Sequence, residues 1–483
     1  MGRGSAGASG VGSAVVVGSG PNGLTAAVAL ARAGLAVTVL EAADEIGGGT
    51  RSGEYTLPGL VHDHCSAVHP FGAASPYWRS LDLERHGLVW RYPEIDLAHP
   101  LPGGRAAVLS RSLRRTGESL TPTDARRWRR VFGPLATGFD ELGGDVLGPL
   151  TRVPRHPLRL SRFGLMALQP ATLLARLWQG EEARALFAGC AAHAFTALEQ
   201  PLTSAVGLML AASGHRYGWP VAKGGSAAIA GALAAELRAH GGRVETGVRV
   251  RSLAELPPAE VVMLDLAPGA AADVCGDRLP PRVARAYRRW RHGPAAVKVD
   301  LAVADGIPWQ AEAARTAGTV HVGGTLAEVA HAEREVTAGR LPERPFVLVA
   351  QQYLADETRS WGGVHPVWAY AHVPGGWAGT EEEGIELVLR QLERFAPGTR
   401  ERVLTAQACG PAGLERFNAN FVGGDIATGA NTPVQVVARP RPALDPYATG
   451  IPGVYLCSAA TPPGAGAHGM CGYWAARAAL RHR

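Results

Sequence analysis

The sequence predicts an α/β fold in which one parallel-sheet domain is discontinuous along the chain. Short apolar strands adjoin glycine-rich turns and alanine-rich helices at three places, around Ser13, Pro220 and Gly453. Strands of this kind, covered by helices on both faces, are typical of parallel sheets. Because the three places lie far apart in sequence, we expect a second domain of mixed sheet plus helices to be inserted between them.

The composition excludes several classes of protein. The chain has 483 residues, of which 46% are hydrophobic and 19% charged, as in a globular protein of about three domain-sized units. Lysine and arginine total 48 against 42 for aspartate and glutamate, and arginines are spread through stretches such as residues 126–130. Solvated helix faces explain this mild basic excess better than nucleic-acid binding, for which we find no motif.

Cysteine usage and hydropathy predict a cytoplasmic protein. The six cysteines are scattered without a Cys-x-x-Cys pair, so we expect reduced thiols and no metal site. The apolar run Ala14–Val17 is too short for the core of a signal peptide. No stretch of about 18 uninterrupted apolar residues, the length of a membrane span, occurs.

The first strand–turn–helix unit carries a dinucleotide-binding fingerprint. A β-branched run, Ala14–Val17, is followed by glycines 18, 20 and 23 and then by a helix to about Ala33. The first glycine permits a tight turn, the second lets the backbone approach a pyrophosphate, and the third allows close helix–strand packing. The start of the helix offers free N–H groups to phosphate. The residues expected to hold the cofactor are Gly18, Ser19, Gly20, Pro21, Asn22 and Gly23.

The second strand, Ala36–Leu40, ends at Glu41, 23 residues after Gly18. An acidic side chain at this place accepts hydrogen bonds from the ribose hydroxyls of an adenosine. It argues against a 2′-phosphate on that ribose, because two negative charges would then meet. We expect Glu41 and the adjacent Ala42 to contact the adenosine.

The C-terminal segment has the same strand–loop–helix order. The strand Gly453–Cys457 leads into a loop with glycines at positions 464, 466 and 469, and an alanine-rich helix follows. N–H groups and the positive end of the helix dipole therefore point towards an anionic partner. Glycine loops near both termini favour one long cofactor lying between them.

On these motifs the chain resembles the phytoene desaturase-related FAD/NAD(P)-binding oxidoreductases, within the amine oxidase superfamily. The matching segments include VVVGSGPNGLTAA at 15–27, GWPVAKGGSAAIAGAL at 218–233 and YLCSAATPPGAGAHGMCGYWAARAAL at 455–480. The C-terminal loop departs from the family's Pro-Gly-Gly-Gly-Val-His-Gly, because Ala465 and Ala467 replace a glycine and a valine. The resemblance implies FAD, bound non-covalently by a Rossmann-like domain of the glutathione reductase type.

The resemblance also implies cofactor contacts outside the first motif. In the family, a Gly-Gly pair and an arginine after the second strand lie beside the pyrophosphate. The family's counterpart of residues 62–69 crosses the flavin, although the histidines and the cysteine of this segment are also ligand types for a metal. The implied contacts are Gly47, Gly48, Arg51, Val68, His69, Val250, Ala460, Gly469 and Met470.

A candidate catalytic residue is Lys298. Its strand resembles the one that carries a lysine near flavin N5 in flavin amine oxidases, where the lysine holds a water and assists reoxidation by oxygen. On an alternating strand, Lys298 and Asp300 point to the same face. The alternative is an exposed, weak surface ion pair.

Candidate substrate residues are His193, Trp368 and Tyr370. The histidine lies in an apolar helix within the region expected to line the pocket, although a lone histidine there is also typical of a core. The two aromatic residues alternate along a strand and either wall the pocket or simply pack. Residues 120–214 are helical in character, and their amphipathic piece 163–178 either caps the active site or dips into a membrane interface.

We therefore expect a cofactor domain of residues 1–75, 215–292 and 441–483, with substrate-domain residues 76–214 and 293–440 inserted. The expected reaction is dehydrogenation of an organic, largely apolar small molecule by hydride transfer to flavin, with oxygen or another acceptor reoxidising it. Oxidation of a C–N bond, as by an amine oxidase, is an alternative. A non-catalytic lipid-binding protein of the Rab-escort type and an NAD-dependent dehydrogenase are the competing classes. The oligomeric state stays open.

Overall fold

A computed structural model describes residues 12–482 of the chain. The strands are β1 (Ser13–Val17), β2 (Ala36–Leu40), β3 (Ser52–Glu54), β4 (Val61–Asp63), β5 (Trp90–Arg91), β6 (Ile95–Leu101), β7 (Arg105–Leu109), β8 (Val221–Ala222), β9 (Arg243–Glu245), β10 (Val261–Leu264), β11 (Ala295–Ala304), β12 (Ala317–Val322), β13 (Val347–Ala350), β14 (Val364–Val373), β15 (Val403–Cys409) and β16 (Val454–Leu456).

The α-helices up to the middle of the chain are α1 (Pro21–Arg32), α2 (Pro70–Ala74), α3 (Leu113–Glu118), α4 (Pro122–Thr137), α5 (Phe139–Val146), α6 (Pro157–Ala167), α7 (Ala171–Leu174), α8 (Glu181–Ala192), α9 (Thr203–Tyr217) and α10 (Ala227–Ala239). The later helices are α11 (Pro268–Cys275), α12 (Pro281–Arg288), α13 (Glu312–Arg315), α14 (Leu326–Thr337), α15 (Glu381–Glu393), α16 (Thr399–Arg402), α17 (Pro411–Phe417), α18 (Pro433–Val437) and α19 (Met470–Arg481).

A parallel sheet of five strands joins segments from both halves of the chain. Its order is β16-β10-β1-β2-β9, and every neighbouring pair is parallel. Helices α1, α10 and α19 cover one face, while α11 and α12 pack on the other. Such a sheet is buried on both sides, which explains why its strands are uniformly apolar. The predicted fold class is confirmed: a discontinuous Rossmann-like sheet with a separate mixed sheet.

The second sheet has seven strands in the order β15-β11-β14-β13-β12-β6-β7. All neighbours are antiparallel except β6 and β12, which run parallel. Helix α15 packs on one face through Leu387, Val388 and Leu392. The other face carries Trp368 and Tyr370 and belongs to the core shared with the helical region α4–α9. This face therefore looks towards the helices that were expected to cap the site.

Two predicted elements differ from the structure. The alternating pattern of residues 244–250 predicts one strand, but β9 ends at Glu245 because Gly247 has a left-handed φ of 71°. The N–H groups of Gly247 and Val248 then bond to Ala43 and Glu41 instead of continuing a ladder. The amphipathic piece 163–178 is not one helix, because Pro170 interrupts it between α6 and α7.

Within residues 12–482, no helix combines the length and the apolar character that crossing a bilayer requires.

Candidate functional site

One cavity of about 740 Å³ is lined by both sheets and by the helical region. We call the lining contributed by residues 17–72 and 248–274 the glycine-turn part. The lining contributed by residues 193–219, 348–370 and 426–439 is the apolar part. The C-terminal loop, residues 458–468, contributes to the same cavity. A single space therefore joins the predicted cofactor residues to the predicted substrate residues.

The glycine turn is held between the ends of two parallel strands. Gly18 has a φ of 101°, and its N–H donates to the carbonyl of Leu40 at 2.8 Å. Glu41 is buried and accepts hydrogen bonds from the N–H and the hydroxyl of Ser19, at 2.8 and 2.6 Å, and from the N–H of Ala43 at 2.9 Å. A carboxylate has about four acceptor sites, so Glu41 can brace the turn and still accept from a ribose.

Close packing explains why glycines stand around this turn. A Cβ atom on Gly23 would overlap the carbonyl oxygen of Gly18, and one on Gly48 would lie 3.0 Å from the Cα of Gly20. Gly47 donates its N–H to the carbonyl of Ser19 at 3.1 Å. Gly23 and Gly47 do not line the cavity, whereas Gly18, Gly20 and Gly48 do. Gly23 and Gly47 therefore support the turn without lining the cavity.

The glycine-turn part suits a pyrophosphate. Helix α1 begins after Gly20 without a side-chain cap, and the N–H groups of Ser19 and Gly23 already bond to acids, so those of Gly20 and Asn22 are left for an anion. Arg51 lines the cavity, lies 4.3 Å above the ring of Phe417, and has no carboxylate within 4.0 Å among residues 12–482. Its Nε atom and Oδ1 of Asn22 are buried without a hydrogen-bond partner. Unpaired buried polar atoms of this kind indicate a polar ligand.

Asp265 is a site residue that the sequence analysis missed. It follows β10 directly, lines the cavity, and accepts a hydrogen bond from the N–H of Gly23 at 2.9 Å. Burial, assisted by the charge of Glu41, raises the pKa of Asp265 to about 7. An acid directly after a buried strand is a usable signal, because the carboxyl ends of parallel strands meet at one edge of the sheet.

Residues 65–72 form a wall of the cavity and contact Ser226, which follows the glycine pair 224–225. Val68 and His69 line the cavity, as do Ala42 and Val250. The Nε2 atom of His69 lies 2.9 Å from the hydroxyl of Ser226, and burial lowers the pKa of His69 to about 4. This imidazole is therefore neutral at physiological pH.

The C-terminal loop reaches the cavity through residues next to those predicted. Ala459, Gly466, Ala467 and His468 line the cavity, whereas Ala460, Gly469 and Met470 do not. The N–H of Met470 donates to Nδ1 of His468 at 3.0 Å, so the start of α19 holds the loop's histidine in place. Contact between the three predicted residues and a cofactor stays a prediction.

Lys298 is buried behind the wall of the cavity and does not line it. Its Nζ atom pairs with Asp300 and lies 4.6 Å from the centroid of the Tyr55 ring. Asp300 also lies 3.2 Å from Nδ1 of His62. Both members of the pair are 3% exposed, so the alternative of an exposed surface pair is wrong. The catalytic role of Lys298 stays a prediction.

The three predicted substrate residues all line the apolar part. Trp368 and Tyr370 project from one face of β14, with ring centroids 5.1 Å apart and an interplanar angle of 83°. His193 ends α8, and its Nε2 atom lies 3.0 Å from Nε2 of the buried His321. Burial lowers the pKa of His193 to about 3, so it is a neutral imidazole. The other apolar lining residues are Phe195, Leu202, Val206, Met209, Leu210, Trp219, Leu348, Ile426 and Val436.

The fold and the glycine turn define a dinucleotide-binding protein of the Rossmann-like class. A family model described as an NAD(P)-binding Rossmann-like domain matches residues 16–82, which include the turn, Glu41 and Arg51. The rest of the chain supplies the mixed sheet, the helical region and three strands of the parallel sheet, β9, β10 and β16.

Three proteins that are similar to this chain are named as an oxidoreductase or an oxidase. It is 25% identical over 555 aligned residues to the Pyridine nucleotide-disulfide oxidoreductase domain-containing protein 2 of Rattus norvegicus, covering 97% of this chain and 93% of that protein. The structure of an oxidoreductase from Methanosarcina mazei matches with a TM-score of 0.65 and 17% identity, covering 97% and 100% of the two chains. Cyclohexylamine oxidase from Brevibacterium oxydans matches with a TM-score of 0.59 and 17% identity, covering 98% and 99%. The chain thus has the amine oxidase-like fold.

Proposed function

We propose that this protein is an FAD-dependent oxidoreductase that dehydrogenates an organic, largely apolar substrate. One observation carries the proposal: a single cavity joins a dinucleotide-binding glycine turn to apolar walls. A long cofactor lying along this cavity would extend from Glu41 towards the C-terminal loop. When bound, the flavin would supply the hydride acceptor for oxidation of the substrate.

Two features favour FAD over NAD as the cofactor. Arg51 is a cavity-lining cation without an acidic partner in the described chain, and it stands beside the turn that approaches a pyrophosphate. The C-terminal loop adds a second set of backbone groups, at the start of the 12-residue helix α19. In the family that the sequence resembles, this loop meets the flavin ring. An NAD-dependent dehydrogenase needs neither element.

The residues of the apolar part would bind and orient the substrate and exclude water. Trp368 and Tyr370 line the cavity and are only 4% and 5% exposed, so core packing holds both rings in place. His193 adds a neutral imidazole, anchored by His321, that can hydrogen-bond a neutral polar group. Lys298 is our proposed aid to flavin reoxidation, whether oxygen or another molecule is the acceptor.

The acidic residues of the cavity favour C–C desaturation over oxidation of an amine. Among the lining residues of the described chain, the acids are Glu41 and Asp265, and both bond to the glycine turn. A protonated amine in the apolar part would therefore lack a carboxylate, and burying an unpaired charge is costly. The fold shared with cyclohexylamine oxidase keeps C–N oxidation as the second candidate.

A membrane surface is a proposed source of the substrate. Leu150, Val153, Leu158, Leu165 and Leu168 are exposed in the helical region, with exposed fractions from 52% to 88%; we call them the leucine surface. The carbonyl of Leu168 accepts the N–H of the cavity-lining Leu202, which connects this surface to the cavity wall. Arginines lie among these leucines, as is typical of interfacial helices.

The visible absorption spectrum of the purified protein is the first test. We expect a flavin spectrum, release of FAD on acid treatment, and bleaching by the true substrate under anaerobic conditions. A colourless protein that also fails to take up added FAD would overturn the proposal. Binding of NAD by such a protein would identify a dehydrogenase, and binding of neither cofactor would favour the non-catalytic lipid-binding class.

A further inference from the structure

Arg439 is a buried cation that lines the cavity far along the chain from the glycine turn. It is 3% exposed, and its three nitrogen atoms all bond to neutral acceptors. Nε donates to the carbonyl of Gln435 at 3.2 Å, Nη1 to the carbonyl of Ala459 at 3.2 Å, and Nη2 to Oδ1 of Asn431 at 3.0 Å. A guanidinium has five N–H groups, so these three bonds leave donors for a ligand.

The charge of Arg439 lacks a counter-ion. No carboxylate of residues 12–482 lies within 4.0 Å of it. Asp425 acts on it from beyond that distance, and Asp425 already accepts from the N–H groups of Gly293 and Ala427, at 2.8 and 2.9 Å. Burial lowers the pKa of Arg439, which shows that its surroundings disfavour the cation. An anionic ligand would offset this cost.

Two further polar side chains line the same cavity, one adjacent in sequence to Ala459 and one in the segment that carries Asn431, both of which accept from Arg439. Thr428 Oγ1 and Ser458 Oγ are buried without a hydrogen-bond partner, and both residues line the cavity. We call Thr428, Asn431, Arg439 and Ser458 the Arg439 patch. Thr428 also has a left-handed φ of 58°, a conformation that a β-branched residue rarely adopts. Two orphaned hydroxyls and an unpaired cation indicate a polar ligand here as well.

We propose that the Arg439 patch binds the carboxylate of the substrate, so that the substrate is an apolar organic acid. The proposal rests on the proposed function, because it assigns the substrate class of the same cavity. A carboxylate can accept charge-assisted hydrogen bonds from the guanidinium N–H groups that its three neutral acceptors leave free. The neighbouring Ile426 and Val436 would pack on the hydrocarbon.

The test is equilibrium binding of four eight-carbon probes to the purified FAD-loaded protein: octanoate, octan-1-ol, octylamine and octyl phosphate. Calorimetry measures each dissociation constant, so no turnover is needed. We expect octanoate to bind about tenfold or more tighter than octan-1-ol, because hydrogen bonds to charged groups are the strong ones. Octylamine that binds as tightly as octanoate would overturn the proposal, as would octyl phosphate that binds more tightly than octanoate.

Arg439→Gln should remove the preference for octanoate and leave the affinity for octan-1-ol within about twofold. The matched control is Arg441→Gln, because Arg441 also donates to a backbone carbonyl, that of Ala448, but does not line the cavity. It should bind octanoate as the unmodified protein does. An Arg439→Gln variant that binds octanoate with unchanged affinity would overturn the proposal.

Two further measurements distinguish a misfolded variant, an incorrect proposed function and an incorrect carboxylate site. Arg439→Lys keeps the charge and should keep part of the octanoate preference, which provides a second variant if the glutamine variant does not fold. The FAD content of each preparation is read from its absorption spectrum. A protein without FAD contradicts the proposed function, whereas a protein with FAD and without octanoate preference contradicts the carboxylate site.

Discussion

The two parts of the cavity are built in different ways. The glycine-turn part takes its turn, Glu41 and Arg51 from one continuous stretch, residues 13–51, and its geometry comes from the backbone. The apolar part collects side chains from the segment 193–202 after α8, from α9, β13 and β14, and from residues 426–439. Each part nevertheless presents an arginine without a carboxylate partner, Arg51 in the first and Arg439 in the second. A short contiguous motif therefore builds the site of the proposed cofactor, whereas the site of the proposed substrate depends on tertiary assembly.

The largest expected effect comes from filling the turn. Gly20→Val should abolish FAD retention, because a Cβ on Gly20 would lie 2.8 Å from Oδ2 of Asp265 and a β-branched side chain would block the pyrophosphate. The flavin absorbance of the purified variant measures the loss. Gly231→Val, in α10 with no atom near the added Cβ, is the matched control and should retain FAD.

The next effect distinguishes Lys298, a buried cation paired with Asp300, from Arg51, which has no acidic partner in the described chain. Lys298→Met should lower the free energy of unfolding by about 3–5 kcal/mol, because it leaves Asp300 buried without its cation. Urea denaturation measures this change. Arg51→Gln should cost less stability, since Arg51 has no acidic partner in the described chain; an equal loss would contradict the distinction.

Arg51→Gln should instead weaken FAD binding by roughly 10- to 100-fold, the value of a charge-assisted hydrogen bond to phosphate. Titration of the FAD-free protein with FAD, followed by flavin fluorescence, gives the dissociation constant. Arg439→Gln should weaken FAD binding less than Arg51→Gln does, because Arg439 contacts the C-terminal loop through the neutral carbonyl of Ala459. If both variants weakened FAD equally, the two parts of the cavity would not have separate roles.

The affinity for FAD should fall as the pH rises through about 7, because Asp265 then becomes charged beside the pyrophosphate site. One proton corresponds to at most about a tenfold change per pH unit. The raised pKa also makes Asp265 favour the folded FAD-free protein at low pH, a contribution that is lost as the pH rises from about 4 to about 7. Asp265→Asn should flatten both profiles, and an unchanged FAD profile in this variant would assign the pH effect to another group.

The smallest effect concerns the leucine surface. Leu158→Glu together with Leu165→Glu should reduce binding to vesicles containing anionic lipid by several fold, since each change removes exposed apolar area. Sedimentation with vesicles measures the bound fraction. Leu341→Glu, at an exposed leucine outside this surface, should bind as the unmodified protein does.

The sequence allowed prediction of the fold class and of the contiguous residues that line the glycine-turn part. Glycine spacing, a β-branched strand and an acid at the end of the next strand are local signals with a physical basis. The end of β9 was not predicted, because Gly247 turns the chain within an alternating pattern. The break before α7 could have been predicted from Pro170.

The Arg439 patch could not be predicted from any local pattern. Arg439 lies between a short helix and a proline-rich stretch, and its neighbours Asn431 and Ser458 come from different turns of the chain. The pairing of His193 with His321 joins residues 128 positions apart. Such groups become a site only when long-range packing brings them together, so periodicity and spacing carry no record of them.

The position of β16 in the parallel sheet determines at which stage of synthesis the proposed cofactor can be bound. This strand, Val454–Leu456, pairs with β10, and the loop that follows it closes the cavity. A nascent chain that ends before residue 454 therefore has the glycine turn but neither the fifth strand nor helix α19 packed on α1. We therefore expect the proposed cofactor to be bound stably only after residues 454–481 have been synthesised, long after the glycine turn.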